Sequence, residues 1–272
     1  MGSRLAITSS DSPLTRTWAA LRADGRRALI PYLTAGFPTR ETSAAALRSA
    51  AEIADIIEVG VPFSDPLADG PTIQRSTFEA LQGGMTLAGT LELVRRAELR
   101  TPVVVFSYLN PILRYGVDRF VREADALGVA GVILTDLPAG GDPGVERTFQ
   151  QSPLDLIRLI APTTRDDRLA EAVSDAQGFI YLVARLGVTG ASRALADDLA
   201  DSVARVRRAT ALPVAVGFGI STPAQAAMVA RMADGVVVGS AVVDALGRDG
   251  VAGARRFLQS LRAGLDTPAG VA

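Results

Sequence analysis

Few residues in this 272-residue chain can do chemistry, and the carboxylates stand out. Glu58 closes the apolar run Asp55–Val61 (DIIEVGV), and the segment Val59–Gln74 (VGVPFSDPLADGPTIQ) carries Asp65 and Asp69. A carboxyl at the end of an apolar strand points either into the mouth of a barrel or into a core. Partial desolvation there favours its neutral form and raises its pKa, which suits a group that must give and take a proton. The plainer alternatives for Glu58 are an ion pair with an arginine or a strand-end place in solvent. For Asp65 and Asp69 the local Pro/Gly pattern by itself indicates turn chemistry, with the side chains capping nearby backbone N–H groups.

The missing residue types narrow the chemistry further. The chain has no Cys and no His, and all 28 of its basic residues are Arg. Without Lys, no Schiff base forms with a carbonyl substrate or with pyridoxal phosphate, and a P-loop cannot occur. Without Cys and His, thiolate and Ser–His nucleophiles and nitrogen- or sulfur-ligated zinc are excluded, and no metal site is expected. Acid–base work falls to Asp, Glu or Tyr.

Glycine turns form a second candidate site. Gly187-Val188-Thr189-Gly190, Gly217-Phe218-Gly219-Ile220-Ser221 and Gly239-Ser240 each follow an apolar run and precede a helical stretch. Glycine lets backbone N–H groups approach a ligand closely, and a helix amino terminus adds partial positive charge, so such turns bind phosphate. Turns need glycine anyway, but three at consecutive strand ends point to an anion.

These residues must be held by regular elements. Ala28–Thr34, Asp55–Val61, Pro102–Tyr108, Ala130–Leu137, Leu154–Ala161, Gly178–Arg185, Pro213–Gly217 and Asp234–Gly239 read as strands. Their near-continuous apolar character indicates burial on both faces, as in a parallel sheet. Ser43–Ala54, Leu87–Leu99, Val117–Leu127, Arg165–Ala176, Leu195–Ala209, Pro223–Ala233 and Val251–Leu265 space apolar residues by three and four and read as helices. Pro138–Gln151 reads as a loop before a short helix, and Ser12–Ala23 as an extra helix ahead of the first strand. The pattern predicts an α/β fold, a closed (β/α)8 TIM barrel. It forms one domain over residues 1–272, with the barrel proper at about 28–265 and an extra N-terminal helix. An open doubly wound sheet is the rival. In a barrel the working positions are the carboxyl ends of strands, here Tyr32, Glu58, Tyr108, Asp136, Tyr181 and Arg185, together with the long connection from Pro62 to about Gln74. Trp18 reads as a core anchor or a plug at the barrel bottom. Arg95-Arg96, Arg207-Arg208 and Arg255-Arg256 read as solvated helix faces, and Phe63 and Phe218 as packing residues of loops.

Hydrophobic residues make up 48 % of the chain and the net charge is −1, so a packed core is expected and neither nucleic acid nor an anionic membrane is. No run reaches membrane-spanning length, and Met1–Thr17 has no apolar core of signal-peptide length, so a cytoplasmic location is expected.

The stretch from Glu58 to Gln74 closely resembles the signature of the tryptophan synthase alpha subunit family. So do Tyr32–Pro38 (YLTAGFP), Tyr108–Ile112 (YLNPI) with Tyr115-Gly116, Asp136-Leu137-Pro138, Gly187–Gly190 and Gly217–Ile220. The resemblance implies retro-aldol cleavage of indole-3-glycerol phosphate to indole and glyceraldehyde 3-phosphate. It gives Glu58 the proton transfers at the indole ring carbon and the glycerol hydroxyl, and gives Asp69 the indole N–H. Tyr181 assists near the glycerol chain. Backbone groups of Gly190, Gly219, Gly239 and Ser240 hold the phosphate, with Thr189 in the same turn. Tyr108, Ile73 and Phe218 line the indole pocket, and Tyr32, Asp136 and Arg185 complete the substrate-binding set. Asp65, Pro66 and Asn110 meet a beta subunit, implying an alpha2-beta2 tetramer. The same resemblance implies no cofactor in this chain, pyridoxal phosphate belonging to the beta subunit. Three alternatives stay open: a free-standing lyase that releases indole, a silent barrel that only activates a beta subunit, and another phosphate-binding barrel such as a sugar-phosphate isomerase.

Overall fold

A computed structural model describes residues 11–184, 193–217 and 219–266, with 193–197 as backbone only. The elements run α1 (Pro13–Ala23), β1 (Ala28–Thr34), α2 (Arg40–Ala51), β2 (Ile57–Gly60), α3 (Pro71–Gln82), α4 (Leu87–Ala97) and β3 (Val103–Ser107). There follow α5 (Leu109–Tyr115), α6 (Val117–Ala126), β4 (Val129–Leu134), α7 (Pro143–Gln150), β5 (Asp155–Ile160), α8 (Asp166–Ser174) and β6 (Ile180–Val183). The last are α9 (Arg193–Ala209), β7 (Val214–Gly217), α10 (Pro223–Ala230), β8 (Gly235–Val238) and α11 (Ser240–Asp266). All eight strands pair in parallel and in chain order, and β8 returns to β1, so the sheet closes into a barrel. The doubly wound alternative is thereby excluded.

Helix starts follow the local chemistry. Ser12, Thr39, Thr86 and Asp142 each accept a backbone N–H from the first turn of the helix that follows, and Thr222 forms a capping box with Gln225. Proline opens α3, α7 and α10, where its missing N–H is not needed.

The structure adds three helical segments to those read from periodicity. α3 lies partly inside the connection after β2, which shortens to Val61–Gly70. Its buried face is Ile73, Ser76, Thr77 and Ala80, so two hydroxyls stand where an apolar period would be sought. α5 buries only Ile112. The first half of α11 is separated from the second by Gly250, whose positive φ of 66° interrupts the helix.

Two cores result. One lies between the sheet and the surrounding helices; the other fills the barrel with Ile30, Ile56, Val104, Ile133, Ile157 and Phe179. Leu14, Trp18 and Leu21 of α1 seal the amino-terminal floor, with Trp18 packed on Phe179 at 5.5 Å. Trp18 thus serves as both core anchor and plug at this end of the barrel. Arg95 and Arg96 lie on a solvated face paired with Glu92, whereas Arg255 is half-buried against Glu52. Among the described residues no helix is long and apolar enough to cross a membrane.

Candidate active site

Glu58 sits on β2 opposite Tyr32 of β1 and Val104 of β3, on the inward face of the barrel. It is fully buried, and neither carboxyl oxygen has a hydrogen-bond partner. Burial in this apolar wall pushes its pKa up from 4.5 to about 8. No arginine offsets the burial, so at neutral pH the group carries a transferable proton. Of the readings open from sequence, the arginine pair and the solvent position both fall away.

Two tyrosines flank it, and two glycines admit them. A Cβ on Gly60 would lie 2.0 Å from the Tyr32 hydroxyl, and one on Gly217 would lie 2.3 Å from that of Tyr181. Any side chain at either position would evict a ring from the mouth. Tyr32 also packs edge-on against Phe106, with centroids 5.4 Å apart. Burial raises both phenol pKa values far above the ordinary one, and the neighbouring carboxylates add to this: Asp69 and Glu58 at Tyr32, Glu58 at Tyr181. Both phenols are thus neutral hydroxyls within the field of Glu58.

Asp69 approaches from the loop after β2. The Ala68 N–H donates to the Tyr108 hydroxyl at 2.9 Å, and the Tyr108 ring packs against Phe63 with centroids 5.1 Å apart and planes tilted by 37°. Burial raises the Asp69 pKa to about 6, opposed by the Tyr108 hydroxyl. Asp69 also acts electrostatically on Tyr32, as Glu58 does, so both carboxyls influence the same phenol. Burial therefore favours the protonated form more strongly at Glu58 than at Asp69. The fold continues from Asp69 through Gly70 into α3, whose first turn supplies buried Ile73.

The anion-binding candidates border the same mouth. A Cβ on Gly239 would meet Tyr32 at 3.6 Å, and Ser240, exposed, opens α11. Gly239 thus lies against the residue that faces Glu58. Gly219 is exposed with φ +81°, a conformation costly for side-chain-bearing residues. Arg185, Thr189, Gly190 and Phe218 lie outside the described residues. Asp136 is exposed and uses a carboxylate oxygen to accept the Leu109 N–H at 2.7 Å, capping α5 rather than joining the buried cluster.

Sequence reading left out Phe106, Gly60 and the packing role of Gly217. Alternation would have found them: Phe106 and Gly60 each stand two residues after an inward position, Val104 and Glu58 respectively.

Beside the mouth lies an apolar surface. Leu67 and Phe78 are 93 % and 62 % exposed and line a cavity of about 710 Å³ with Asp65 and Pro66. An adjoining groove of about 450 Å³ shares Phe63 and Leu81 and reaches exposed Asn110 on α5.

Comparison with known proteins decides the family. Residues 18–264 match the family described as tryptophan synthase alpha chain. The alpha chain of Acidiphilium cryptum is 53 % identical over 239 residues, which cover 86 % of this chain and 87 % of that one. The alpha chain of Chloroflexus aggregans is 46 % identical over 258 residues, covering 91 % and 96 % respectively. The chain belongs to the tryptophan synthase alpha chain family. In solved structures, the tryptophan synthase of Mycobacterium tuberculosis superposes with a TM-score of 0.87 at 42 % identity, covering 94 % of this chain and 99 % of that one. Membership places the chain among the lyases of tryptophan biosynthesis, and the whole described mouth falls within the matched span.

Proposed function

We propose that this alpha chain cleaves indole-3-glycerol phosphate to indole and glyceraldehyde 3-phosphate with the Glu58–Asp69 pair. The carrying observation is the buried Glu58 carboxyl with no hydrogen-bond partner, whose burial favours its protonated form, at the mouth that the half-buried Asp69 loop borders. Glu58 delivers its proton to the ring carbon bearing the glycerol chain. That step turns the indole into an indolenine cation, whose N–H bonds to Asp69 and whose charge that carboxylate stabilises. The Glu58 carboxylate then removes the proton from the chain's adjacent hydroxyl. The oxygen's electrons form the aldehyde C=O, the C–C bond breaks, and its electron pair restores the aromatic ring. Glu58 ends protonated, as it began. The ring supplies the electron sink, so the sequence needs neither Schiff base nor metal.

Tyr181 bonds near the glycerol chain; Tyr32, Ile73, Tyr108 and Phe106 wall the ring. The backbone of Gly219, Gly239 and Ser240 holds the phosphate at the α11 amino terminus. The reading calls for no cofactor in this chain and for a cytoplasmic, single-domain subunit. The exposed Leu67 and Phe78 beside Asp65, Pro66 and Asn110 favour a docked beta subunit, which would carry the pyridoxal phosphate, in an alpha2-beta2 tetramer, over a free-standing lyase. An indole-release assay on the purified chain tests the reaction, and repeating it with added beta subunit tests the docking. Indole formation undiminished in Glu58→Gln would end the mechanistic proposal; a rate indifferent to the beta subunit would favour the free-standing enzyme.

A further inference from the structure

We infer that Arg158, on the far side of β4 from Glu58, is a positioning residue for the Asp69 loop, acting through a relay of three consecutive loops. The inference rests on the catalytic reading above for its consequence, though not for its geometry.

Arg158 projects from β5 and is 4 % exposed. One terminal nitrogen donates to Asp175 at 2.6 Å and forms an ion pair with Glu146 of α7 at 3.2 Å; the other donates to the Leu137 carbonyl at 3.4 Å. The Glu146 carboxylate also accepts the Gly140 N–H at 3.0 Å, and Arg168 of α8 donates to the Ala139 carbonyl at 3.1 Å. Side chains from β5, α7 and α8 thus hold Leu137–Gly140 by its backbone. Packing does not do this alone: a cavity of about 190 Å³ lies against the same stretch, lined by Asp136, Pro138, Ala139 and Arg158.

The residue just before this stretch, Asp136, accepts the Leu109 N–H at 2.7 Å. Tyr108, which precedes Leu109, caps α5 without a side-chain bond of its own, so this end of α5 is fixed by Asp136. The Tyr108 hydroxyl in turn accepts the Ala68 N–H at 2.9 Å, one residue before Asp69. The relay runs from Arg158 and Glu146 to Gly140, through Asp136 to Leu109, and through Tyr108 to Ala68.

Energetics point the same way. Arg158 carries one positive charge between two carboxylates, and its Nε and one Asp175 oxygen have no partner. A buried ion group that leaves polar atoms unpaired is a poor source of stability compared with apolar packing, but it holds backbone in one register.

Glu146 offers the sharper test, because Arg158 keeps Asp175 when it changes. Gln at this position retains an oxygen able to accept both the Gly140 N–H and Arg158; Leu keeps the bulk and accepts neither. We expect Glu146→Leu to lower kcat for indole release by about tenfold, with Glu146→Gln near the unsubstituted rate and glycerol 3-phosphate inhibition unchanged in both. Arg158→Lys, which cannot span Asp175 and Leu137 at once, should resemble Glu146→Leu. Hydrogen exchange at the Leu109 and Ala68 amides should accelerate in Glu146→Leu and not in Glu146→Gln, whether or not the chain turns over substrate. Unchanged protection at Ala68 overturns the relay, as does an unchanged kcat in a chain that cleaves substrate. An unsubstituted chain that releases no indole overturns the functional reading instead, and the exchange comparison then decides the relay.

Discussion

Glu58→Gln should leave the fold more stable than the natural chain by an amount that grows with pH. Gln is nearly isosteric with the protonated carboxyl and cannot ionise. In the folded chain Glu58 titrates near 8, against 4.5 when exposed. A carboxyl whose pKa is raised by folding binds its proton more tightly in the folded state. Its stabilising effect is complete below pH 4.5 and is lost as pH rises through 8. At 1.36 kcal/mol per pH unit, the folded chain loses about 3 kcal/mol by pH 7 and about 5 kcal/mol by pH 9, relative to pH 4. Gln loses nothing, so the difference between the two proteins traces the same curve. Asp155, buried and titrating near 6, is common to both and cancels. Urea denaturation at five pH values between 4.5 and 9 measures the difference, and an indole assay on the same samples measures the reaction. A stability difference that is flat across pH, or a Gln variant less stable throughout, would refute the claim that Glu58 is held uncompensated in an apolar wall.

The reaction's own pH dependence follows from the same pair. kcat/KM for indole release should be bell-shaped, rising as Asp69 ionises near pH 6 and falling as Glu58 ionises near pH 8; a profile flat from 5 to 9 would contradict it. Asp69→Asn should cost about a hundredfold or more in kcat with the fold intact by circular dichroism, because a charge facing the indolenine cation is lost. Gly60→Ala should abolish activity and lower stability together, its Cβ forcing the Tyr32 ring out of the mouth; an active Ala variant would show that ring to be dispensable. Leu67→Asp should weaken beta-subunit binding by about tenfold or more in titration calorimetry while leaving the isolated chain's indole release unchanged.

The barrel was legible because its strands are short apolar runs at regular spacing: seven lie within the segments read as strands, and β4 starts one residue earlier, at Val129. Element ends were less so: α3 hides its amphipathic face behind Ser76 and Thr77, and the Ser76 hydroxyl is satisfied by Thr34 and by the Ile73 carbonyl of its own helix. The site divides in the same manner. Glu58 could be picked out as a candidate by its place in an apolar run, though an arginine pair or a solvent position stayed open there. Asp69 could not, because its neighbours spell a turn; what removes it from ordinary turn chemistry is Tyr108, forty residues away, which only the closed barrel brings beside Ala68. The buried ion group of Arg158 was invisible for that reason too, since its partners come from three other segments.

The division of labour between the two carboxyls follows from where the fold anchors each. Glu58 belongs to a strand whose inward face is apolar below it and aromatic beside it, so its surroundings cannot relax to solvate a charge and its proton stays at neutral pH. Asp69 hangs from a loop, half-buried and beside a hydroxyl, and so ionises about two pH units sooner. Exchanging the residue types, with Asp at 58 and Glu at 69, should therefore preserve which position holds the proton while spoiling the reach of both. Titration of each carboxyl by carbon-13 NMR would show the higher pKa remaining at position 58. If it moved to 69, side-chain identity rather than position would set the order of ionisation, and the strand would lose its place as the source of the acid.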